Sequence, residues 1–230
     1  MIAQPIEQSV ALHQSLRLEE AMLGRRKLVT GALAAAFLPK AAGAVVCNDW
    51  MAGAYVSART CRVGLSRVIP FAEQKREQWC WAASISGLFR QHGYVVSQQR
   101  IVTAIYGDNF NLPAWGPQIA AATSRQWTTD DGHKTFEAEC EVLMDADYLF
   151  FQSDAVQQAA QELDDGNPLV IGCISHAMVL TGMSYTGFSN GQFRIDSVTV
   201  RDPWPGRGKR LLFPNEWQGT RFLARVTTLG

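Results

Sequence analysis

The chain has 230 residues, which is room for one substantial domain, and 47% of them are apolar. Charged residues make up 18%, so the composition is that of an ordinary globular protein able to bury a core. The formal net charge is zero, and no excess of basic residues argues for a nucleic-acid partner.

The front of the chain has the three parts of a secretory signal peptide. Residues 25–27 form a basic cluster, residues 28–38 form an uncharged apolar run, and residues 42–44 supply an A-x-A cleavage site. The run is too short to span a bilayer comfortably. We therefore predict a signal peptide over 1–44, export to the periplasm or beyond from a bacterium, and no stable membrane anchor after cleavage. The alternative is a buried, alanine-rich helix.

Two features of this leader leave alternatives open. Residues 1–21 contain three glutamates, which do not suit the start of a signal peptide, so Met22 is an alternative first residue. The pair Arg25-Arg26 is only part of a twin-arginine signal, and both general and twin-arginine export remain possible routes.

From Cys80 the sequence has helical periodicity. Apolar residues recur at offsets 0, 4, 7 and 8 from Trp81, which is one face of a helix, and Gly93 is a natural stop. The same kind of signal predicts three further helices: over 97–106, from Pro117, and from a cap at Ser153 to Gly166.

Strand-like alternation and short apolar runs dominate the last third of the chain. The predicted strands are 136–151, 169–174, 176–183, 193–200, 211–213 and 222–226. Residues 45–67 show neither period and are predicted to be an irregular stretch that precedes the domain over 68–230. Helices come first and strands last, so we expect an α+β fold rather than alternating βαβ units.

The five cysteines are 47, 61, 80, 140 and 173, and an odd number in an exported protein suggests one free thiol. No pair has CxxC spacing, so we expect no structural zinc, and no other metal or cofactor. With Cys80 free, we expect disulfides Cys47–Cys61, within the irregular stretch, and Cys140–Cys173, between two extended segments. The alternative is that Cys140 and Cys173 are buried free thiols.

Three short segments carry residues suited to nucleophilic catalysis. Cys80 opens the predicted helix, where unpaired backbone N–H groups favour a thiolate. His176 begins a strand, and Asp202, at a strand end before a proline, could fix its tautomer. Gln74 offers an amide donor for an oxyanion. Each residue alone has an ordinary structural explanation, but together they predict a catalytic site.

Taken together, the segments resemble papain-like cysteine peptidases. Gln74 precedes Cys80 by six residues and Trp81 follows it, as in that family. The segment from His176 to Gly182 is similar to the family's histidine strand, and Asp202-Pro203-Trp204 resembles its Asn-Ser-Trp segment with Asp in place of Asn. The form Trp-Cys-Trp-Ala-Ala looks closest to bacterial papain-like peptidases of the avirulence and bacteriocin-processing types.

The resemblance implies a two-lobe fold, with Cys80 on a helical lobe and His176 on an antiparallel β lobe. It implies a thiol peptidase that cleaves a peptide or protein substrate through an acyl-enzyme, with Cys80, His176 and Asp202 as triad and Gln74 as oxyanion donor. Only 96 residues separate Cys80 from His176, fewer than in plant papains, so substrate preference does not carry over.

Three other functions compete with a peptidase. An acyl transferase on the same scaffold would use the same Cys-His pair. A non-catalytic peptide-binding module is disfavoured because the cysteine, histidine, aspartate and glutamine are all present. A metal hydrolase is disfavoured because the other three histidines, at 13, 92 and 133, have no ligand spacing.

Overall fold

A computed structural model describes four ranges of the chain: 45–51, 57–65, 73–152 and 154–230. All of them belong to one compact unit, Pro39–Gly230. The predicted signal peptide over 1–44 and the predicted helix cap Ser153 lie outside the described residues. Within the described ranges, no helix is long and apolar enough to cross a membrane.

The described residues form five α-helices: α1 (Cys80–Gln91), α2 (Gln98–Tyr106), α3 (Gly116–Thr123), α4 (Ala155–Asp164) and α5 (Pro214–Gln218). The helix predicted from Cys80 is confirmed, and its apolar face is buried. It ends ahead of Gly93, whose φ of 88° lies in the left-handed region that favours glycine. The other three predicted helices form as α2, α3 and α4.

The strands are β1 (Val46–Met51), β2 (Ser57–Gly64), β3 (Arg125–Thr128), β4 (Thr135–Asp145), β5 (Phe150–Phe151), β6 (Leu169–Cys173), β7 (His176–Phe188), β8 (Phe193–Asp202), β9 (Gly208–Leu211) and β10 (Phe222–Leu229). Among the described residues all strand pairs are antiparallel. The main path runs β1-β2-β7-β6-β10-β4-β3, while β8 pairs with β7 and β9, and β5 with β4. The fold is therefore α+β, as predicted.

The sheet separates two apolar clusters. Val170 and Ala177 belong to the cluster that contains the buried faces of α1, α2 and α3. Their strand neighbours Ile171 and Met178 belong to the second cluster, which is covered by α4. Successive residues of a strand point to opposite faces, so this alternation places the two clusters on opposite sides of the sheet. The strands that carry these residues, β6 and β7, are thereby covered on both faces.

The prediction of an irregular stretch over 45–67 does not hold for its described residues 46–51 and 57–64, which form two strands. β1 pairs with β2 along its whole length, and β2 pairs with β7 from Ala58 to Gly64. Every residue of β1 is exposed, so its sequence carries no alternation of apolar and polar residues. Strands of this kind give no periodic signal, because alternation arises only when one face is buried.

The disulfide prediction is half right. Cys47 and Cys61 lie opposite each other in the β1–β2 pair and are bonded, whereas Cys140 and Cys173 are free. The bond predicted between Cys140 and Cys173 is wrong because β10 lies between their strands. Two strand spacings amount to roughly 9–10 Å, beyond the limit of about 7 Å between the Cα atoms of a disulfide. Burial raises the pKa of both thiols, that of Cys173 to about 11.

The single disulfide predicts a specific response to reductant. The double variant Cys47→Ala/Cys61→Ala should unfold at lower urea concentration than the oxidised wild type. Its free energy of unfolding should be lower by at most about 3 kcal/mol, the value for a loop of this length. Reductant should destabilise the wild type by a similar amount and leave the double variant unchanged. A reductant effect on the double variant, or a cross-linked peptide containing Cys140 or Cys173 in a non-reducing map, would show that the pairing is incorrect.

Candidate active site

Three chain segments meet at one end of the sheet. Cys80 is the first residue of α1, His176 is the first residue of β7, and Asp202 is the last residue of β8. Because β7 and β8 are antiparallel, the start of one lies beside the end of the other, and Val179 pairs with Arg201. The topology thus brings together residues that are far apart in the sequence.

Cys80 lies where α1 presents its first backbone N–H groups, which have no acceptor within the helix. No acidic side chain occupies the first turn, so none competes with an anionic sulfur for these donors. The backbone N–H of Ala177 lies 3.5 Å from the Cys80 Sγ. Nearby, the buried Ser84 hydroxyl donates to the carbonyl of Ala177 at 3.2 Å. These contacts fix the helix start against the first residues of β7.

His176 interacts with both Cys80 and Asp202. Its Nε2 lies 2.7 Å from Oδ1 of Asp202, which leaves Nδ1 for the Cys80 thiol. Burial would lower the pKa of His176, but hydrogen bonds and charge attraction to Asp202 and Cys80 outweigh it and raise the pKa to about 9. A pKa raised in this way favours the protonated form of the imidazole. Trp204 stands edge-on to the ring, with 6.2 Å between centroids.

The side chain of Asp202 is fully buried, yet its pKa is lowered and the carboxylate is the favoured form. Its Oδ1 accepts from His176 and from the backbone N–H of Trp204 at 2.9 Å, and its Oδ2 accepts from Nε of Arg210 at 2.7 Å. Burial would raise the pKa of Asp202, but these hydrogen bonds outweigh it and lower the pKa to about 2. The carboxylate thus stays anionic and fixes the Nε2 side of the imidazole ring.

Arg210 is a member of this cluster that sequence reasoning missed. It lies on β9 opposite Val200 of β8, and this pairing brings its guanidinium to Asp202. In the sequence it belongs to the run from Arg207 to Arg210, where clustered charge is typical of a solvated turn. The turn residues of 203–208 are the one signal in the sequence that could have identified Arg210. They are typical of a hairpin, and a hairpin there would place Arg210 beside the end of β8.

The predicted oxyanion donor, Gln74, lies near the cluster, but its amide points elsewhere. Its backbone N–H donates to the carbonyl of Pro203 at 2.8 Å, which joins it to the Asp202 segment. Its side-chain Nε2 donates to the carbonyls of Arg76 and Glu77, at 3.0 and 2.8 Å, so both amide hydrogens are engaged. Gln78, which sequence reasoning passed over, lines the cleft beside Cys80.

A cleft of about 180 Å³ opens beside Cys80 and His176. Part of its lining is apolar: Pro113, Ala114, Trp115, Ile119 and Phe222. The ion pair between Asp147 and Arg221 also lines it. An apolar surface with a few polar groups next to a nucleophile is typical of a binding site for an organic ligand.

The comparison with known protein families agrees with this geometry. A family model described as the Peptidase_C39 like family matches residues 67–224, more than half of the chain. The matched range contains Gln74, Cys80, His176 and Asp202, and it confirms the papain-like resemblance. No curated protein matches the chain.

Asp202→Asn tests how the charge on His176 arises. An amide oxygen can still accept a hydrogen bond but carries no charge, so the pKa of His176 should fall below its value of about 9. The measurement is an NMR titration of the histidines, with His176→Ala to assign the signal of His176. An unchanged titration of His176 would contradict the role given to the carboxylate.

The same substitution should change the pH dependence of stability. The folded-state pKa of His176 lies above its ordinary value of 6.5, so its contribution is complete below pH 6.5 and is lost as the pH rises through about 9. The unfolding free energy of the wild type should therefore decline over this interval. In Asp202→Asn the decline should be smaller.

Proposed function

The chain belongs to the Peptidase_C39-like family and is a cysteine peptidase, and we propose that it hydrolyses peptide bonds through a Cys80–His176–Asp202 triad and an acyl-enzyme intermediate. The observation that carries the proposal is that His176 bonds to the Asp202 carboxylate at 2.7 Å and lines the same cleft as Cys80. Nucleophilic catalysis by cysteine needs a thiolate and a nearby proton donor. The helix N-terminus at Cys80 favours the thiolate, and the buried carboxylate of Asp202 favours a protonated His176.

In the first half-reaction the thiolate of Cys80 attacks the carbonyl carbon of the substrate peptide. A carbon–sulfur bond forms, and the carbonyl oxygen becomes an oxyanion. As the intermediate collapses, Nδ1 of His176 gives its proton to the amine nitrogen and the carbon–nitrogen bond breaks. The amine product leaves, and a thioester on Cys80 remains.

In the second half-reaction His176, now neutral, takes a proton from water at Nδ1. The hydroxide attacks the thioester carbon, the carbon–sulfur bond breaks, and Cys80 leaves as thiolate beside the protonated imidazole. Asp202 keeps Nε2 engaged throughout, which prevents the ring from turning away from the sulfur. The protein returns to its starting charge state with a carboxylic acid as the second product.

The proposal gives Gln74 the oxyanion role, on rotation of its amide away from the carbonyls of Arg76 and Glu77. The spacing of six residues before Cys80 supports this assignment. Gln78 is the competing side-chain donor, since it already lines the cleft. The backbone N–H of Cys80, at the first position of α1, is a further donor common to both cases.

We also propose that the protein is exported and that its helices and sheet form two lobes around the cleft. The bond between Cys47 and Cys61 supports export, because disulfides form and persist in oxidising compartments. It accords with the signal peptide proposed over 1–44. The position of Cys80 on a helix and of His176 on the sheet supports the lobe arrangement.

Cys80→Ala should reduce hydrolysis of fluorescently labelled casein to background without lowering the melting temperature by more than a few degrees. Cys140→Ala, which removes another partly buried thiol, is the matched control and should retain activity. His176→Ala should also be inactive, and its Cys80 should react more slowly with iodoacetamide at mildly acidic pH. Wild-type turnover in Cys80→Ala would end the triad proposal.

Gln74→Ala and Gln78→Ala together identify the oxyanion donor. Loss of the true donor should lower kcat by about 10²-fold and leave the rate of Cys80 alkylation unchanged, since an amide carries no charge. We expect this pattern for Gln74 and a smaller effect for Gln78. Loss of both hydrolysis and alkylation in Gln74→Ala would make Gln74 structural, and the reverse ranking would transfer the role to Gln78.

Trapping with hydroxylamine separates hydrolysis from acyl transfer. A peptidase should release mainly the carboxylic acid without added amine. A transferase should release little product until an amine is supplied.

A further inference from the structure

Each oxygen of the buried Asp202 carboxylate has its own set of donors. Oδ1 accepts from His176 and Trp204, and Oδ2 accepts from Nε of Arg210 at 2.7 Å. Arg207 approaches the same oxygen only to 3.7 Å, and its side chain is 54% exposed. Arg210 is therefore the main contact that holds Oδ2 away from the imidazole.

The guanidinium of Arg210 is itself held by a complete set of acceptors. Nε donates to Asp202, Nη1 and Nη2 each donate to one oxygen of Glu216 at 2.7 Å, and the remaining hydrogens face the carbonyl of Leu211 and the sulfur of Met178. All five N–H donors of the fork are thus directed at acceptors. Only 16% of this side chain is exposed, so its geometry is fixed by the protein rather than by water.

Glu216 anchors the other end of this contact. Its carboxylate also accepts from the backbone N–H of Phe213 at 2.8 Å, at the start of α5. A bidentate arginine–carboxylate pair fixes orientation as well as distance. The position of Arg210 is thereby set by a helix end that is separate from the strands that carry His176 and Asp202.

We propose that Arg210 is a positioning residue of the active site, which holds Asp202 so that Oδ1 alone serves His176. The proposal deepens the proposed function, since it rests on the triad of Cys80, His176 and Asp202. A lysine could supply the charge but not the fork that reaches Asp202 and Glu216 together.

A positioning role and a simple counter-charge role predict opposite shifts. If Arg210 fixes the carboxylate, its loss lets Asp202 turn and weakens the 2.7 Å bond to His176, so the pKa of His176 falls. If Arg210 only neutralises charge, its loss leaves a stronger negative field at the imidazole, and the pKa of His176 rises. A purely structural role lowers the melting temperature and leaves the pKa of His176 unchanged.

The experiment compares wild type, Arg210→Gln and Arg210→Lys by NMR titration of His176 and by the pH profile of casein-peptide hydrolysis. In both variants we expect the basic limb of the pH profile to move below its wild-type position and kcat to fall by about 10²-fold with little change in KM. Arg225→Gln is the matched control, because Arg225 also bridges two carboxylates, those of Glu141 and Glu162. Arg225→Gln should lower the melting temperature without shifting the basic limb of the pH profile.

A basic limb that rises or stays in place in Arg210→Gln, or a full recovery in Arg210→Lys, would overturn the positioning role. If Arg210→Gln does not fold, Glu216→Gln releases Arg210 from its anchor and should move the limb in the same direction by a smaller amount. The titration of His176 needs no substrate. It therefore tests Arg210 even if Cys80→Ala retains hydrolysis and the triad proposal fails.

Discussion

The carboxylate of Asp202 is an anion buried out of contact with water, and much of the surrounding structure provides its hydrogen bonds. A buried charge without donors is strongly unfavourable, so the elements that donate to it must be in place whenever the fold is. The contacts extend on both sides of Asp202. Negative and positive side chains alternate along a row that ends at the thiol of Cys80: Glu216, Arg210, Asp202 and His176. Cys80 and His176 form one end of a longer electrostatic array.

The turn after Asp202 also fixes the other side of the cleft. Gly206 donates its backbone N–H to the carboxylate of Glu73, and the carbonyl of Pro203 accepts from Gln74, each at 2.8 Å. The buried amide of Gln98 bonds to the backbone on both sides of Gln74. The segment that leads into Cys80 is therefore held by the same turn that follows Asp202. This turn fixes the position of Cys80 relative to Asp202.

The elements that could be predicted from the sequence are those that bury one face, because burial leaves a periodic pattern of apolar residues. The helix from Cys80 and the strand from His176 follow from apolar spacing, and the cysteine, histidine and aspartate stood out by their neighbours. Strand order did not follow, because nothing local places β10 between β4 and β6, and the pairing of Cys140 with Cys173 failed for that reason. Arg210 was missed because its importance comes from a partner across a hairpin, whereas its own neighbours look like a solvated turn.

The place of β10 has a consequence for how the protein is made. It is the last strand in the chain order, yet it lies between β6 and β4 and closes the sheet. As the chain emerges from a ribosome or a secretion channel, both of those strands keep open edges until residues 222–229 arrive. Such long-range pairing delays folding to the end of synthesis. Arg221 and Phe222, at the start of this strand, line the cleft. In the nascent chain, well over a hundred residues therefore follow Cys80 before the cleft beside it is complete.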